Sequence, residues 1–481
     1  MMHPRPVLVW FRDDLRLTDN LALSAAAAEG PLVAAYVLDE NPAEMRPLGG
    51  AAKWWLARSL DALRCDLARY GVPLILRRGP AAREILKLAE QLGAGSIHWN
   101  RRYDPEGIAT DTGIKAALKQ AGVQVTSHEG HLLREPWDVT TQSGTPLKVF
   151  TPFWRAHGAK GEPRAPLPRP AAMTAAEISI ASDDINTWGL NPSPYWAKGF
   201  EPMWTPGEAG AEARLSAFLD AGLEDYAEDR NRPDLASTSR LSPHLRFGEI
   251  TPARIWVAAQ MKAETTGQKG LGKFLSEIGW REFAYHLLFH QPNLRTENFS
   301  PRFDAFPWRD DDKALKAWQQ GLTGYPIVDA GMRELWTTGW MHNRVRMVTA
   351  SFLIKHLLIH WRRGEEWFWD TLVDADHANN AASWQWVAGS GADAAPYYRI
   401  FNPVIQGEKF DPNGDYVRRF VPELSRMPKA YIHQPWAAPP SILAASGVTL
   451  GLTYPHPIVD HAKARDRALA AFAAIKAVDA A

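Results

Sequence analysis

The chain holds one cysteine, Cys65, in 481 residues. No internal disulfide can form, and a reducing compartment, the cytoplasm, is expected. No basic n-region, apolar h-region and cleavage site follow one another at the start, so no secretory signal is read there. Long hydrophobic runs are also missing. The longest apolar stretch, 347–361, is interrupted by Lys355, His356 and His360, and it reads as a buried helix rather than a membrane span. Charge of one sign is not in surplus: 54 basic and 54 acidic residues give a formal net charge of +0 at pH 7. Nucleic-acid binders usually carry excess positive charge, so any such role must rest on a local basic patch. No G-x-G-x-x-G follows the first strand, which leaves a Rossmann dinucleotide site unsupported. Asp374 and Asp376 lack the spacing and glycine of a calcium loop, and no histidine pair or cysteine cluster suggests zinc. No metal is expected.

What is abundant is tryptophan, with 21 residues. A large aromatic core would use them; so would stacking on bases or other planar ligands, or the passing of electrons. The count alone leaves these readings open. Hydrophobic residues at 46% and charged residues at 22% are the mix of a soluble globular protein, and the length calls for at least two domains.

The first 130 residues alternate strand-like runs (7–10, 32–38, 73–76, 96–99, 123–126) with helix-like runs (19–29, 51–70, 81–92, 107–121). Gly30-Pro31, Gly71 and Gly122 separate them. Apolar strands alternating with helices predict a doubly wound α/β domain around a parallel sheet, with any ligand beyond the strand ends. Residues 131–206 are proline-rich and read as a long surface linker. From 207 to 481 helical periodicity dominates (208–221, 251–262, 272–290, 312–320, 328–337, 343–362, 365–372), ending in an Ala-rich amphipathic helix over 457–481. An all-helical second domain is expected.

Four constellations carry chemistry. Tyr226 precedes the run Ser237 to Pro243, where Ser242 and Pro243 suit an N-cap and first helical position. Thr238, Ser239 and Arg240 before that helix start could cradle a phosphate. On the next helix Phe274, Glu277, Trp280 and Arg281 fall at i, i+3, i+6 and i+7, on one face. That suits a planar-ligand pocket as well as a Glu277–Arg281 surface pair. In the third segment Asn343, Arg346 and Met347 share a face and Arg344 points elsewhere, which by spacing alone fits core and surface roles best. Fourth, a polar loop with Asp374 and Asp376 leads through Asn379 and Asn380 into Trp384-Gln385-Trp386, a pattern suited to hydrogen bonding a heteroaromatic edge.

Together with Trp10 to Arg16, Thr323 to Ala330, Gly339 to Met347 and Arg399 to Pro403, these segments resemble the photolyase/cryptochrome family over nearly the whole chain, most closely the bacterial class I enzymes acting on cyclobutane dimers. The resemblance implies an α/β domain joined to a helical FAD-binding domain. It makes Tyr226, Thr238, Ser239, Arg240, Leu241 and Ser242 phosphate-side FAD contacts. Phe274 (where tryptophan is expected), Arg281 and Arg346 become further contacts, Asp374 and Asp376 lie near the flavin ring and ribose, and Asn380 faces flavin N5. Position 379 is also asparagine, so that last assignment could shift by one. It places Glu277, Trp280, Asn343, Met347 and Trp386 on the lesion, and makes Trp384, Trp361 and Trp308 a relay that re-reduces the flavin. The reaction implied is light-driven electron transfer to a flipped-out pyrimidine dimer in damaged DNA, with Arg230, Arg344, Arg399 and Lys409 on DNA phosphates. An antenna, methenyl-tetrahydrofolate or a deazaflavin, is left open, with residues 100–103 as a loose site. A monomer with no membrane partner is expected. The (6-4) specificity is disfavoured because Asn343 stands where those enzymes carry histidine. The remaining alternative is a cryptochrome photoreceptor without repair activity.

Overall fold

A computed structural model describes residues 5–41, 45–394 and 398–478. Five parallel strands, β1 (Val7–Phe11), β2 (Leu32–Leu38), β3 (Leu74–Arg78), β4 (Ser96–Asn100) and β5 (Gln124–His128), form one sheet in the order β3-β2-β1-β4-β5. Helices α1 (Leu21–Glu29), α2 (Gly50–Ala68), α3 (Ala81–Leu92) and α4 (Pro105–Gln120) alternate with them. Successive side chains of a strand face opposite sides, and the two cores show it. Val7, Val9 and Phe11 join Leu32 and Ala34 against α1 and α2, whereas Leu8 and Trp10 join Val33 and Ala35 against α3 and α4. Burial on both faces explains why these strands are continuous apolar runs. The last strand, Gln-Val-Thr-Ser-His, is a part-exposed, mostly polar edge, which discourages pairing with another chain.

The expected doubly wound α/β domain and helical domain are therefore present. The 131–206 segment, expected as a linker, contains helix α5 (Phe150–Gly158). The helical part comprises α6 (Glu208–Ala221), α7 (Tyr226–Asp229), α8 (Ser242–Arg246), α9 (Pro252–Thr266), α10 (Leu271–His290), α11 (Asp312–Gln319) and α12 (Pro326–Thr338). It continues with α13 (Asn343–Ser351), α14 (Trp361–Thr371), α15 (Asn379–Ala388), α16 (Pro403–Phe410), α17 (Asp415–Phe420), α18 (Pro440–Ser446) and α19 (His461–Val478). Residues 479–481 of the expected last helix lie outside the described residues.

One expected helix, 343–362, is corrected to two. After α13 the chain makes a π-turn at Phe352–His356, Leu358 adopts φ +57°, and His360 caps α14 by accepting the Arg362 N–H at 3.1 Å. A left-handed leucine cannot continue a helix.

Buried contacts tie the two parts together. Arg16, 2% exposed, donates to the Gly248 carbonyl at 2.8 Å. Arg246 pairs with Asp13 at 2.7 Å, and Trp55 donates to Glu249 at 2.9 Å. Gly248 has φ +62°, and a Cβ there would fall 2.0 Å from the Asp13 carbonyl oxygen. Only glycine allows that approach between the two parts.

Candidate active site

Three of the segments singled out in the sequence meet where Ser242 of α8, Arg346 of α13 and Asp374 before α15 bond one another. Asp374 is the hub. It accepts both guanidinium nitrogens of Arg346, at 3.1 and 2.8 Å, and the Ser242 hydroxyl at 2.6 Å. Ser242 was expected to cap α8. Instead Leu241 occupies the cap position, without a side-chain bond, and the Ser242 hydroxyl turns to the carboxylate because a charge-assisted bond is stronger. Trp340, absent from the expectations, closes the cluster. Its indole N–H reaches Ser242 Oγ at 3.3 Å, and the guanidiniums of Arg240 and Arg346 lie 5.1 and 5.8 Å from its ring.

Arg240 sits at φ +51°, beside Thr238 and Ser239, and Ser239 Oγ accepts the Leu241 N–H at 3.4 Å. Its guanidinium has no carboxylate partner among the described residues and contacts Met203 sulfur at 3.1 Å. Burial, the largest influence, lowers its pKa. A half-buried, unpaired arginine beside two hydroxyls, within reach of a paired Arg346, suits a diphosphate. The residues present therefore fit the phosphate side of FAD.

Phe274 is buried against Phe218 and Tyr226, at centroid distances of 4.7 and 5.4 Å. Arg281 is also buried, and it donates to the His131 carbonyl at 2.9 Å and to His131 Nε2 at 2.8 Å. Burial and Arg281 hold His131 well below its usual pKa, so its ring accepts as the neutral form. The helix face expected for Phe274, Glu277, Trp280 and Arg281 carries a gradient of burial. Phe274 and Arg281 enter the interior, whereas Glu277 and Trp280 remain half-buried. The expected Glu277–Arg281 pair does not form. Glu277 binds Arg230 through both oxygens, one contact being 2.9 Å, and Lys273 at 2.9 Å.

Trp280 lies flat on Phe150 of α5, with centroids 3.7 Å apart and planes 8° from parallel. Phe150 was missed because prolines on both sides obscured a nine-residue helix. Trp386 is half-buried and donates to the Asp393 carbonyl at 3.0 Å. Asn343 is exposed at the start of α13, and Met347 is half-buried one turn on. Arg344 does not point away, as expected, but reaches Met347 sulfur at 3.7 Å and Asn231 at 2.7 Å. Burial, Arg230 and Arg399 lower its pKa in that order, so these three cations form one patch. Lys409 stands exposed beside the Phe410 ring, over which the Arg344 guanidinium also lies.

The two adjacent asparagines have different partners. Asn379 bonds Asp376 at 2.8 Å, and Asp376 also accepts the N–H groups of Ala378 and Asn379, tying down the start of α15. Asn380 is buried and donates to Glu365 Oε1 at 2.7 Å and to the Glu365 carbonyl at 3.0 Å. Glu365 is clamped in turn by Arg46 of the α/β domain, at 2.7 and 2.8 Å. No spacing rule could reveal that three-residue chain.

Trp384 and Trp361 are fully buried, and Trp308 is half-buried. Trp361 donates to Asn298 at 2.9 Å, and His360 bridges it to Trp308 with centroid distances of 5.7 and 4.8 Å. At the sheet's switch point, between β1 and β4, polar side chains pair with one another. Arg12 pairs there with Asp111 at 2.5 Å, and Asn100 donates to Asp14 and Asn20 at 2.7 and 2.9 Å. Arg101 and Tyr103 bond Glu135, and Arg102 bonds Asp104. Of the loose antenna site at 100–103, Arg102 also lines a small cavity with Arg12, Asp13, Tyr36 and Arg246.

Comparisons with known proteins agree with this architecture. Residues 7–171 match the DNA photolyase family model, and residues 274–474 match the FAD binding domain of DNA photolyase. A deoxyribodipyrimidine photo-lyase of Agrobacterium fabrum is 55% identical over 98% of each chain. Cryptochrome-1 of Arabidopsis thaliana is 40% identical over 95% of this chain and 69% of its own. The crystal structure of a bacterial class III photolyase from Agrobacterium tumefaciens superposes with a TM-score of 0.96 at 54% identity, covering 99% of this chain and 98% of that one. By sequence along its whole length and by fold, the chain belongs to the photolyase/cryptochrome family.

Proposed function

We propose that the chain is a light-driven DNA repair enzyme, a deoxyribodipyrimidine photo-lyase that reverts cyclobutane pyrimidine dimers. The observation that carries this reading is the full-length likeness, at 55% identity, to a relative of that name. Its likeness to a bacterial class III photolyase, at 54% identity, favours that subclass over the class I placement expected from the motifs. When bound and reduced, FAD would supply on excitation the electron that splits the cyclobutane ring and would take it back afterwards.

The chain's own residues bind, orient and exclude water. Arg240, Ser239, Thr238 and Arg346 hold the diphosphate, with Tyr226, Leu241, Ser242, Phe274, Arg281, Asp374 and Asp376 shaping the rest of the cofactor site. Asn380, fixed by Glu365, presents its amide to the flavin. Trp280 and Trp386 wall the extruded dimer, and such stacking returns about 1–3 kcal/mol per base against the few kcal/mol that extrusion costs. Glu277, Asn343 and Met347 meet its polar edge. Arg230, Arg344, Arg399 and Lys409 take the backbone phosphates, so binding should weaken steeply with salt although the net charge is zero. Trp384, Trp361 and Trp308 carry electrons inward. The segments 1–130, 131–206 and 207–481 serve as antenna-type domain, connector and catalytic domain. A cytoplasmic monomer belongs to the same reading; no helix among the described residues is long and apolar enough to cross a membrane.

The test uses reduced, FAD-loaded protein and an oligonucleotide bearing one thymine cyclobutane dimer under blue light, with dark and (6-4)-lesion samples alongside, read by chromatography. Restored thymines in the lit dimer sample alone are expected. No restoration, with FAD bound and photoreducible, would favour the photoreceptor reading.

A further inference from the structure

The relay assigned above ends at Trp308, and its two outer indoles differ in one respect. The Trp361 N–H donates to Asn298 Oδ1 at 2.9 Å. The Trp308 N–H is buried and has no acceptor among the described residues. An indole that loses an electron becomes a radical cation, and its N–H is then far more acidic than before. Loss of that proton leaves a neutral radical and traps the charge separation, because the electron's return then requires the proton's return. The trap works only where a base or water reaches the N–H.

Two rings pack against Trp308. Those of Phe306 and His360 lie 4.4 and 4.8 Å from it, centroid to centroid. Phe306 is no base. The imidazole is one, but its lone pair is engaged. Nδ1 accepts the Arg362 N–H at 3.1 Å and caps α14, which leaves the hydrogen of the neutral ring on Nε2. Burial, followed by Arg362, pushes the His360 pKa down to about 4, against an opposing pull from Asp304. Asp304 itself is exposed, and its carboxylate accepts from Asn298 Nδ2 at 2.7 Å. Arg309, next in the chain after Trp308, is a cation. Among the described residues, no proton acceptor is therefore placed at the Trp308 N–H.

Resting on the repair reading above and its relay, we propose that oxidised Trp308 keeps its N–H proton, because His360 covers the indole without accepting from it. For each electron that passes inward to the flavin, Trp384 and Trp361 are oxidised and restored in turn, and Trp308 is left one electron short. With the proton retained, the electron returns easily. The charge separation then outlasts that return only where an external thiol reduces Trp308 first, giving up one electron and its own proton. Light-driven reduction of the flavin should accordingly depend steeply on thiol concentration. His360 is a positioning residue in this scheme, since it acts through Trp308.

Flash photolysis of the FAD-loaded protein tests this by following the tryptophan radical, whose protonated and neutral forms absorb differently. In wild type the cation should decay without passing to the neutral form, at a rate indifferent to added buffer base. His360→Asn keeps a helix cap, since asparagine serves well there, but uncovers the indole. Its radical should pass to the neutral form, faster with more buffer base, and should live severalfold longer. His360→Phe keeps the cover without the imidazole and should behave as wild type; it serves also if the asparagine variant folds poorly. A wild-type radical that loses its proton overturns the proposal, and so does a His360→Asn radical that stays a cation. Absence of any tryptophan radical in illuminated wild type with FAD bound would sink the relay assignment instead, and dimer repair by that same protein would leave the enzyme reading standing.

Discussion

Single side chains decide several outcomes. Glu277 is held by Arg230 and Lys273 on one side of the cationic patch, so in this state its oxygens are engaged by protein cations rather than open to a lesion. Glu277→Ala should cut the repair yield while flavin absorbance survives; repair at the wild-type level would refute its role. Lys355 is a different case. Burial, followed by Arg399, pushes its amine down to about 7, whereas the unfolded chain has the usual lysine value of about 10.4. Between those pKa values the unfolded state holds a proton that the folded state lacks, so this residue's contribution to stability rises with pH from about 7 to about 10 and is flat below that. Lys355→Met should therefore raise stability at neutral pH, on the order of 1–4 kcal/mol, and flatten the pH dependence in that window. Denaturant titrations across that range would show it. At this scale the sequence was legible where a motif names a residue and silent where the partner lies far away. It marked Ser242 and Asp374 but could not show that they bond each other.

Among the elements, α14 and α15 pack so closely that Gly364 is the only residue type that fits. A Cβ there would lie 2.1 Å from Trp384 Cη2 and 2.7 Å from Leu353 Cδ2. Gly364→Ala should cost about 1–3 kcal/mol by overpacking and displace the Trp384 ring. Light-driven bleaching of the oxidised-flavin band should then slow in variant protein that still carries FAD, and an unchanged rate would separate Trp384 from the relay. The strands and most helices could be read from periodicity because burial imposes it. The break between α13 and α14 could not, since Phe352, Leu353 and Ile354 suit any buried helix and nothing in Leu358 advertises a left-handed backbone. Helix α5 was hidden for the opposite reason: the prolines around it mimic a connector, yet its Phe150 is what Trp280 stacks upon.

Across the whole molecule, the α/β and helical parts share buried arginines, a buried Trp55–Glu249 bond and the tight approach at Gly248. Intrachain domains that meet through small polar surfaces move independently, but these contacts are buried, and removing one partner of a buried pair is costly. Calorimetry of the FAD-free protein should therefore show one unfolding transition, and two well-separated transitions would contradict this coupling. None of these cross-contacts is visible in local patterning, because their members stand hundreds of positions apart. The clamp between Arg46 and Glu365 spans 319 positions, and beyond it lies Asn380. Heredity should bear its mark. Among descendants of a common ancestor, a substitution at 46 strands the carboxylate at 365 and loosens the amide at 380, so the two positions should change together or stay fixed together. Lineages that exchange one half of the gene for a cousin's would keep the fold and lose that agreement.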